Sequence, residues 1–345
     1  MKKTIIFMAV IAMIASCKKK EADANLSKPE EALSADIALT VKGDSQESEP
    51  LYPESEKFNF LGYGYDVTDR FNDERSVRAS VIDVALYDAS ADSRVNIMRS
   101  TETSWTTLQA ENAEVLAEKF SNSFQATKES KLFGNTITKS FPETIFNDKK
   151  FVYGYYSYYM IRKRYAVFYQ EALKSYLTAQ FKRDISSLNA QELIHKYGTH
   201  ILTGVKIGAK FDVIYQAVVP DDALNREEIS IEGFRYAMSK TFGLITGYLD
   251  DPNLKNLNAN SSAQIYYSAF GGNFRELKTE IVNNRLILNI NNWKASTTED
   301  KAKFIGPLDK GLEPLYDFID DAGKRELVKT YIKQYCADKA VRLKK

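Results

Sequence analysis

The stretch that decides the fold is Tyr197-Gly198-Thr199-His200-Ile201, followed after six residues by Gly208-Ala209. Before it, Leu188 to Lys196 places Leu188, Leu193 and Ile194 at helical spacing, so that they share one face. After it, Val205 to Tyr215 is rich in β-formers and bounded by Pro220. The stretch therefore reads as a helix end feeding a strand, with Gly198 where a helix C-cap glycine belongs.

The bulk properties narrow the partners. A chain of 345 residues with 44% hydrophobic content can bury a sizeable core. A net charge of +1 provides no global field for nucleic acid. With 21 Tyr and 19 Phe, the chain has aromatics suited to strands and to wet apolar interfaces such as membrane headgroup belts. The only cysteines are Cys17 and Cys336, so no disulfide framework forms if Cys17 is modified. His195 and His200 are five apart across a glycine turn with no Cys nearby, so no metal site and no cofactor is expected.

Lys2 and Lys3 precede a short apolar run, Thr4 to Ile14, and then Ile14-Ala15-Ser16-Cys17. The run is too short to span a bilayer and reads as a processing segment. It resembles a bacterial lipoprotein signal, residues 1–16, which implies lipidation of Cys17 and a firm membrane attachment. Residues 17–57 are rich in Lys, Glu, Ser, Asp, Ala and Pro, with Tyr52 as the sole aromatic, and read as a flexible tether. Lys18-Lys19-Lys20-Glu21 has no Asp after the cysteine. By resemblance to lipoprotein sorting rules this implies the outer membrane, and the run of Lys followed by an acid resembles the surface-export signal of Bacteroidetes, which implies a protein that is surface-exposed or released.

The quoted stretch resembles the signature of the membrane attack complex/perforin (MACPF) family: Tyr or Trp, Gly, Thr or Ser, His, an aromatic, six residues, Gly-Gly. Tyr197, Gly198, Thr199, His200 and Gly208 match, whereas Ile201 replaces the aromatic and Ala209 the second glycine. Further features are similar to the family's. Leu61-Gly62-Tyr63-Gly64-Tyr65-Asp66 alternates glycine with aromatics, as in a strand closely approached by another backbone, and resembles the family's first strand. Gly271-Gly272 falls where the family carries a glycine pair thought to act as a sheet hinge. Ile305 to Pro307, Leu312 to Tyr316 and a helix over Lys324 to Ala337 resemble the closing segment.

The resemblance covers about Phe60 to Ala337. It implies an α+β, MACPF/cholesterol-dependent-cytolysin-like domain over 58–337, with 338–345 as a tail. Such a domain has a bent and twisted central four-stranded antiparallel sheet flanked by two helical clusters. It gives His200 a structural role, capping or bridging backbone beside the sheet.

The remaining chain is read by pattern. Ser80 to Leu86 is β-like, and Thr106 to Phe124 is helix-like. Phe151 to Tyr169 holds nine aromatics in nineteen residues, which reads as one long bent strand. Glu171 to Asp184 is helical. From Gly233 onward, Phe234, Tyr236, Met238, Lys240, Phe242, Leu244, Thr246 and Tyr248 share one strand parity, mostly bulky; the other parity is mostly small or polar. That alternation suits a strand with lipid on one side and water on the other. The same residues satisfy a helix, since Ile231, Phe234, Met238, Phe242 and Ile245 are three or four apart. Asp250 to Asn253 reads as a turn, and Leu257 to Tyr267 as a return arm. An arm of about 15 residues reaches roughly 50 Å as a strand, more than the hydrocarbon core of about 30 Å.

The membrane-inserting face is therefore assigned to Phe234, Tyr236, Met238, Phe242, Leu244 and Tyr248. A second such segment over about 120–150 alternates less well and contains Pro142. No phosphate loop, nucleophile elbow or HExxH is present, and no enzyme is expected. The resemblance, which extends to the antimicrobial MACPF lipoproteins of Bacteroidales, implies a pore-forming toxin. Its partners would be the lipid membrane of a target cell, a homo-oligomeric ring, and a receptor that is protein or glycan, with no nucleic acid. The alternative expectation is a non-lytic surface lipoprotein that binds glycan or a partner protein through the same scaffold.

Overall fold

The runs Phe151–Val167 and Gly204–Val218 pair antiparallel along nearly their whole length, and the other elements are arranged around them. The computed structural model describes residues 39–44, 51–91, 94–142, 144, 149–244, 253–282 and 284–343. In chain order the first elements are β1 (Leu39–Asp44), β2 (Tyr63–Tyr65), β3 (Val77–Ser80), α1 (Val84–Ala89), β4 (Val95–Arg99), β5 (Thr103–Ala110), α2 (Ala113–Ser121) and α3 (Gly134–Ser140). The middle of the chain supplies β6 (Phe151–Val167), α4 (Ala179–Ser187), α5 (Ala190–Tyr197), β7 (His200–Leu202), β8 (Gly204–Val218), α6 (Arg226–Phe242), α7 (Leu254–Asn258) and β9 (Ser261–Phe270). The last part gives β10 (Lys278–Val282), β11 (Arg285–Asn289), α8 (Asn291–Ala295), β12 (Lys303–Pro307), β13 (Leu312–Pro314) and α9 (Ala322–Lys339).

The central sheet has four antiparallel tracks. β5 and β4 lie end to end along one edge of β6, β8 pairs the other edge, and β9 and β12 lie end to end along β8. A smaller sheet runs β13-β7-β2-β3, and β10 pairs β11 as a hairpin. The two faces of the central sheet carry separate cores. On one, Tyr153, Tyr155 and Ile214 join Phe120, Phe124, Phe133 and Ile137 from the α2–α3 segment. On the other, Val152, Phe211, Val213, Tyr215 and Ile265 meet Phe234, Met238 and Phe242 from α6. Two helical clusters thus flank a four-stranded antiparallel sheet, as the signature implied.

Several local expectations are corrected. Thr106 to Phe124 is not one helix. Thr103 to Ala110, with Trp105 and three threonines, takes the strand form its side chains favour, and the helix starts only after Asn112, whose side chain accepts from the Val115 N–H. Ser80 to Leu86 is likewise divided: β3 ends at Ser80, and Asp83 caps α1. The helix read over Glu171 to Asp184 is a 3₁₀ segment, Gln170–Tyr176, followed by α4. The return arm Leu257 to Tyr267 is not a hairpin arm in this state, because most of it is β9, zipped against β8.

The tether also carries structure. Leu39–Asp44 pairs in parallel with Ala263–Ser268, covering an edge of β9 that would otherwise present unpaired backbone groups. Residues 51–57 contact the domain, with the Tyr63 hydroxyl donating to the Pro53 carbonyl at 3.0 Å and Lys57 pairing with Asp88 at 2.8 Å. Residues 1–38, which include the leader and Cys17, lie outside the described residues.

Candidate functional site

The signature forms a joint between a helix and two sheets. Asn189 and Glu192 close a capping box at the start of α5, whose Leu193, Ile194 and Tyr197 are buried. The Tyr197 hydroxyl donates to Asp184 at 2.7 Å, tying α5 to α4. Gly198 has φ +72°, and its N–H donates to the Ile194 carbonyl at 2.8 Å. A Cβ there would stand 2.7 Å from the Tyr65 carbonyl carbon, and one on Gly64 would stand 1.8 Å from the Tyr197 oxygen. Glycine alternation in the first strand therefore serves the close backbone approach expected of it.

The bridging role expected of His200 falls to Thr199. Its backbone N–H donates to the Tyr65 carbonyl, its hydroxyl accepts from the Val67 N–H at 3.2 Å, and its carbonyl accepts from the Leu315 N–H. His200 is buried on β7 and is hydrogen-bonded through Nδ1 only to the Thr199 hydroxyl among the described residues. Burial lowers its pKa to about 4, so the ring is neutral at physiological pH. The signature also feeds two strands rather than one: β7 belongs to the small sheet, and the chain passes through Thr203 before entering β8.

Gly208 marks the level at which the tracks break. Opposite it, β6 carries a bulge between Ile161 and Lys163, and a bulge bends its strand. The bulged Arg162 donates to the Thr297 carbonyl at 2.8 Å. A Cβ on Gly208 would lie 2.0 Å from the Met160 oxygen. Gly271 and Gly272 end β9 with φ +70° and +69°; a Cβ on the former would lie 2.6 Å from the Gly208 oxygen, and one on the latter 2.8 Å from the Thr297 side chain. The Trp293 indole donates to the Gly271 carbonyl at 3.0 Å, so the α8 turn clasps this break. Ala209 and Ile201, the two departures from the signature, are both buried in ordinary apolar packing.

The residues assigned to a membrane-inserting face separate in this state. Phe234, Met238 and Phe242 share the buried stripe of α6, with Phe234 against Tyr215 and Phe242 edge-on to Phe211. Tyr236 lies off that stripe, where its hydroxyl and ring meet Lys240. Leu244 is half-buried beyond the helix, and Tyr248 lies outside the described residues. Gly233 allows the helix to approach, because a Cβ would stand 2.3 Å from Asn260 and from the Tyr215 hydroxyl.

Side chains that the sequence did not flag hold both segments down. Arg226, nearly fully buried, donates to four backbone carbonyls: Glu111, Lys149 and Phe151 at the two ends of the α2–α3 segment, and Pro220 at the start of the α6 segment. Asn260 accepts from the Tyr215 hydroxyl and donates to the carbonyls of Ile229 and Asn256. Ser230 donates to the Tyr153 carbonyl at 2.5 Å. Across the segments, Lys119 pairs with Glu227 at 2.6 Å. On the other face, buried Lys210 pairs with Asp212, which also accepts from Ser157 and Tyr155; the Lys-x-Asp spacing on one strand face was the signal for this group.

No group of three or more His, Cys, Asp or Glu suited to a metal occurs among the described residues, and none of their helices is long and apolar enough to cross a membrane. The MAC/Perforin domain profile matches residues 55–343. The chain belongs to the MAC/Perforin family. Two solved structures share its fold with a TM-score of 0.63. One is a protein with a MAC/Perforin domain from Bacteroides thetaiotaomicron VPI-5482, 17% identical, over 84% of this chain and 64% of that one. The other is GNIP1Aa from Chromobacterium piscinae, 16% identical, over 83% of this chain and 57% of that one. The chain thus spans less than two thirds of either neighbour. No curated protein sequence matches it.

Proposed function

We propose that this MAC/Perforin chain is an exported, lipid-anchored pore-forming effector that assembles side by side into a ring and inserts β-hairpins into a target membrane. One observation carries the reading. Each helical cluster is the connection between two neighbouring antiparallel strands, residues 111–150 between β5 and β6 and residues 219–260 between β8 and β9. Unwinding either cluster extends a ladder that already exists, with no rethreading of the chain. The register runs on from Ala110↔Tyr153 in one case and from Val218↔Ser261 in the other. An arm of about 20 residues reaches roughly 65 Å, ample for a bilayer core of about 30 Å.

The alternation of Phe234, Tyr236, Met238, Phe242 and Leu244 supports a lipid-facing side for the second hairpin. Closing a barrel satisfies the backbone groups that insertion would otherwise leave unpaired in lipid. Growth of a ring edge to edge requires β1 to leave β9, since it occupies that side of the sheet. Gly271-Gly272 is the hinge in this reading, and Cys17 the lipidated residue of an outer-membrane protein.

The test is a covalent lock. A Cβ on Gly154 would lie 2.5 Å from the Phe234 Cγ, which suits a disulfide between Gly154→Cys and Phe234→Cys. Dye-loaded vesicles made from bacterial outer-membrane lipids should leak with the reduced variant and not with the oxidised one. Leakage that survives oxidation refutes hairpin conversion at α6. Pro142 favours a second reading, a non-lytic binding protein on the same scaffold, because a proline in the first hairpin interrupts a strand ladder. Absence of leakage from every membrane tested with the reduced protein would select it.

A further inference from the structure

The outward face of the signature helix lines a cleft of about 480 Å³ that the pore-forming reading leaves unused. Residues of α5 and α9 line it, together with Tyr52. That volume lies in the range of small-molecule sites, which run to roughly 300–1,000 Å³. The floor is aromatic. Tyr331 and Tyr335 stand one helical turn apart on α9, with ring planes 16° apart and centroids 6.2 Å apart. Tyr335 is fixed in place, its hydroxyl donating to Asp66 at 3.1 Å and accepting from the Thr68 hydroxyl.

The facing wall is polar and unspent. Among the described residues, neither the Gln191 amide, the His195 ring nor the Tyr331 hydroxyl has a hydrogen-bond partner. Lys196 and Glu192, by contrast, are committed to Asp184 and to the capping box.

We infer that this cleft is a glycan-binding site, which takes the flat C–H face of a pyranose on the Tyr331–Tyr335 platform and reads its hydroxyls with Gln191, His195 and the Tyr331 hydroxyl. One observation separates this ligand from the other class that tyrosines recognise, a quaternary ammonium: a cation cage needs rings set at an angle around one point, whereas the planes of these two are nearly parallel. A neutral ring with an apolar face and several hydroxyls matches both the platform and the wall: donor and acceptor groups face hydroxyls that can do both. The site does not depend on hairpin conversion, since α5 and α9 lie outside both segments that would unwind.

Saturation-transfer NMR on the full chain tests the inference with maltose, cellobiose, lactose, mannobiose and N,N′-diacetylchitobiose at millimolar concentration, and with phosphocholine as the competing class. At least one sugar should receive saturation through its ring C–H protons from tyrosine resonances. Tyr331→Ala should weaken that binding at least tenfold, and Gln191→Ala by about fivefold, as for one lost hydrogen bond. Tyr331→Phe should keep the stacking signal. The oxidised Gly154→Cys/Phe234→Cys protein should bind as well as the parent, which distinguishes failure of the site from failure of pore formation. The inference is overturned if no sugar in the panel receives saturation, if Tyr331→Ala and Gln191→Ala leave binding unchanged while circular dichroism shows a native fold, or if phosphocholine alone occupies the cleft.

Discussion

The joint at the signature and the latches on α6 hold the same sheet by different means. At the joint, backbone lies on backbone: Gly64 on Tyr197, Gly198 on Tyr65, Gly208 on Met160, Gly271 on Gly208. No side chain can be withdrawn to open such contacts. α6 instead is held by side chains that reach carbonyls, those of Arg226, Ser230 and Asn260, and by an apolar stripe. Those contacts break one at a time, and the backbone they release already lies between two paired strands. The family motif therefore sits where backbone is packed on backbone, and the segment proposed to convert carries no motif. Changes at the joint should cost folding, whereas changes at the latches should cost restraint.

The largest effect is expected from Gly208→Ala. Its methyl would need the space of the Met160 carbonyl, which belongs to a strand bonded on both edges and cannot retreat. Such a clash should cost at least about 4 kcal/mol. Either no soluble protein or a melting temperature lower by about 10 °C or more is expected in a thermal scan. A stable, active Gly208→Ala protein would remove the distinction between the two regions.

Arg226→Ala comes next. It removes this donor from the Glu111, Lys149 and Phe151 carbonyls, while the Pro220 carbonyl keeps the Ala223 N–H, and the loss should be about 3 kcal/mol. Its signature differs from that of the joint variant: the protein should still fold, and vesicle leakage should become faster at equal protein concentration. Slower leakage in a folded Arg226→Ala protein would mean that the guanidinium assists conversion rather than restraining it.

His200 links the joint to pH. Its pKa is about 4 in the fold and about 6.5 in an unfolded chain, so the unfolded state binds the proton more tightly. Its contribution is fully present above pH 6.5 and is lost as pH falls toward 4, with a cost of about 2 kcal/mol at pH 5. Glu74 acts in the opposite sense. Burial, aided by Asp73, raises its pKa to about 7, so the fold favours its protonated form and loses that contribution as pH rises through 7. The difference between parent and His200→Asn isolates the histidine. Denaturant unfolding from pH 7.5 to 4.5 should show a shallower loss of stability in the variant, and parallel curves would mean that the ring is already solvated.

Much of this division was legible in the sequence, for reasons that the residues make plain. Gly62-Tyr63-Gly64 announced a close backbone approach because only glycine tolerates one, and the stretch from Tyr197 to Gly208 showed a helix end and a turn into β structure, though not its division between β7 and β8. Phe151 to Tyr169 could be little other than a long strand. Two kinds of feature were silent. Thr106 to Phe124 has apolar residues at helical spacing by accident, and its division into strand and helix depends on pairing with β6. Arg226 and Asn260 work on backbone carbonyls, which every residue carries, so no spacing marks their partners. The pairing of Leu39–Asp44 was hidden by the polar composition around it.

The finest test concerns Ala209, where the family pattern carries glycine. The family residue is available by a single change, and the joint as described argues against making it. The Ala209 methyl is buried in the core beneath α6, and it lies 3.1 Å from where a Cβ of Gly271 would stand. Ala209→Gly removes that methyl and adds backbone freedom to a strand interior, for a loss of about 1–1.5 kcal/mol. If the second glycine were needed for bending, the same change would instead raise activity at little cost. Chemical denaturation and vesicle leakage measured on one preparation separate the two outcomes. Lower stability with unchanged leakage places the whole bend on Gly208 and the Gly271-Gly272 pair; faster leakage would show that Ala209 stiffens a second pivot.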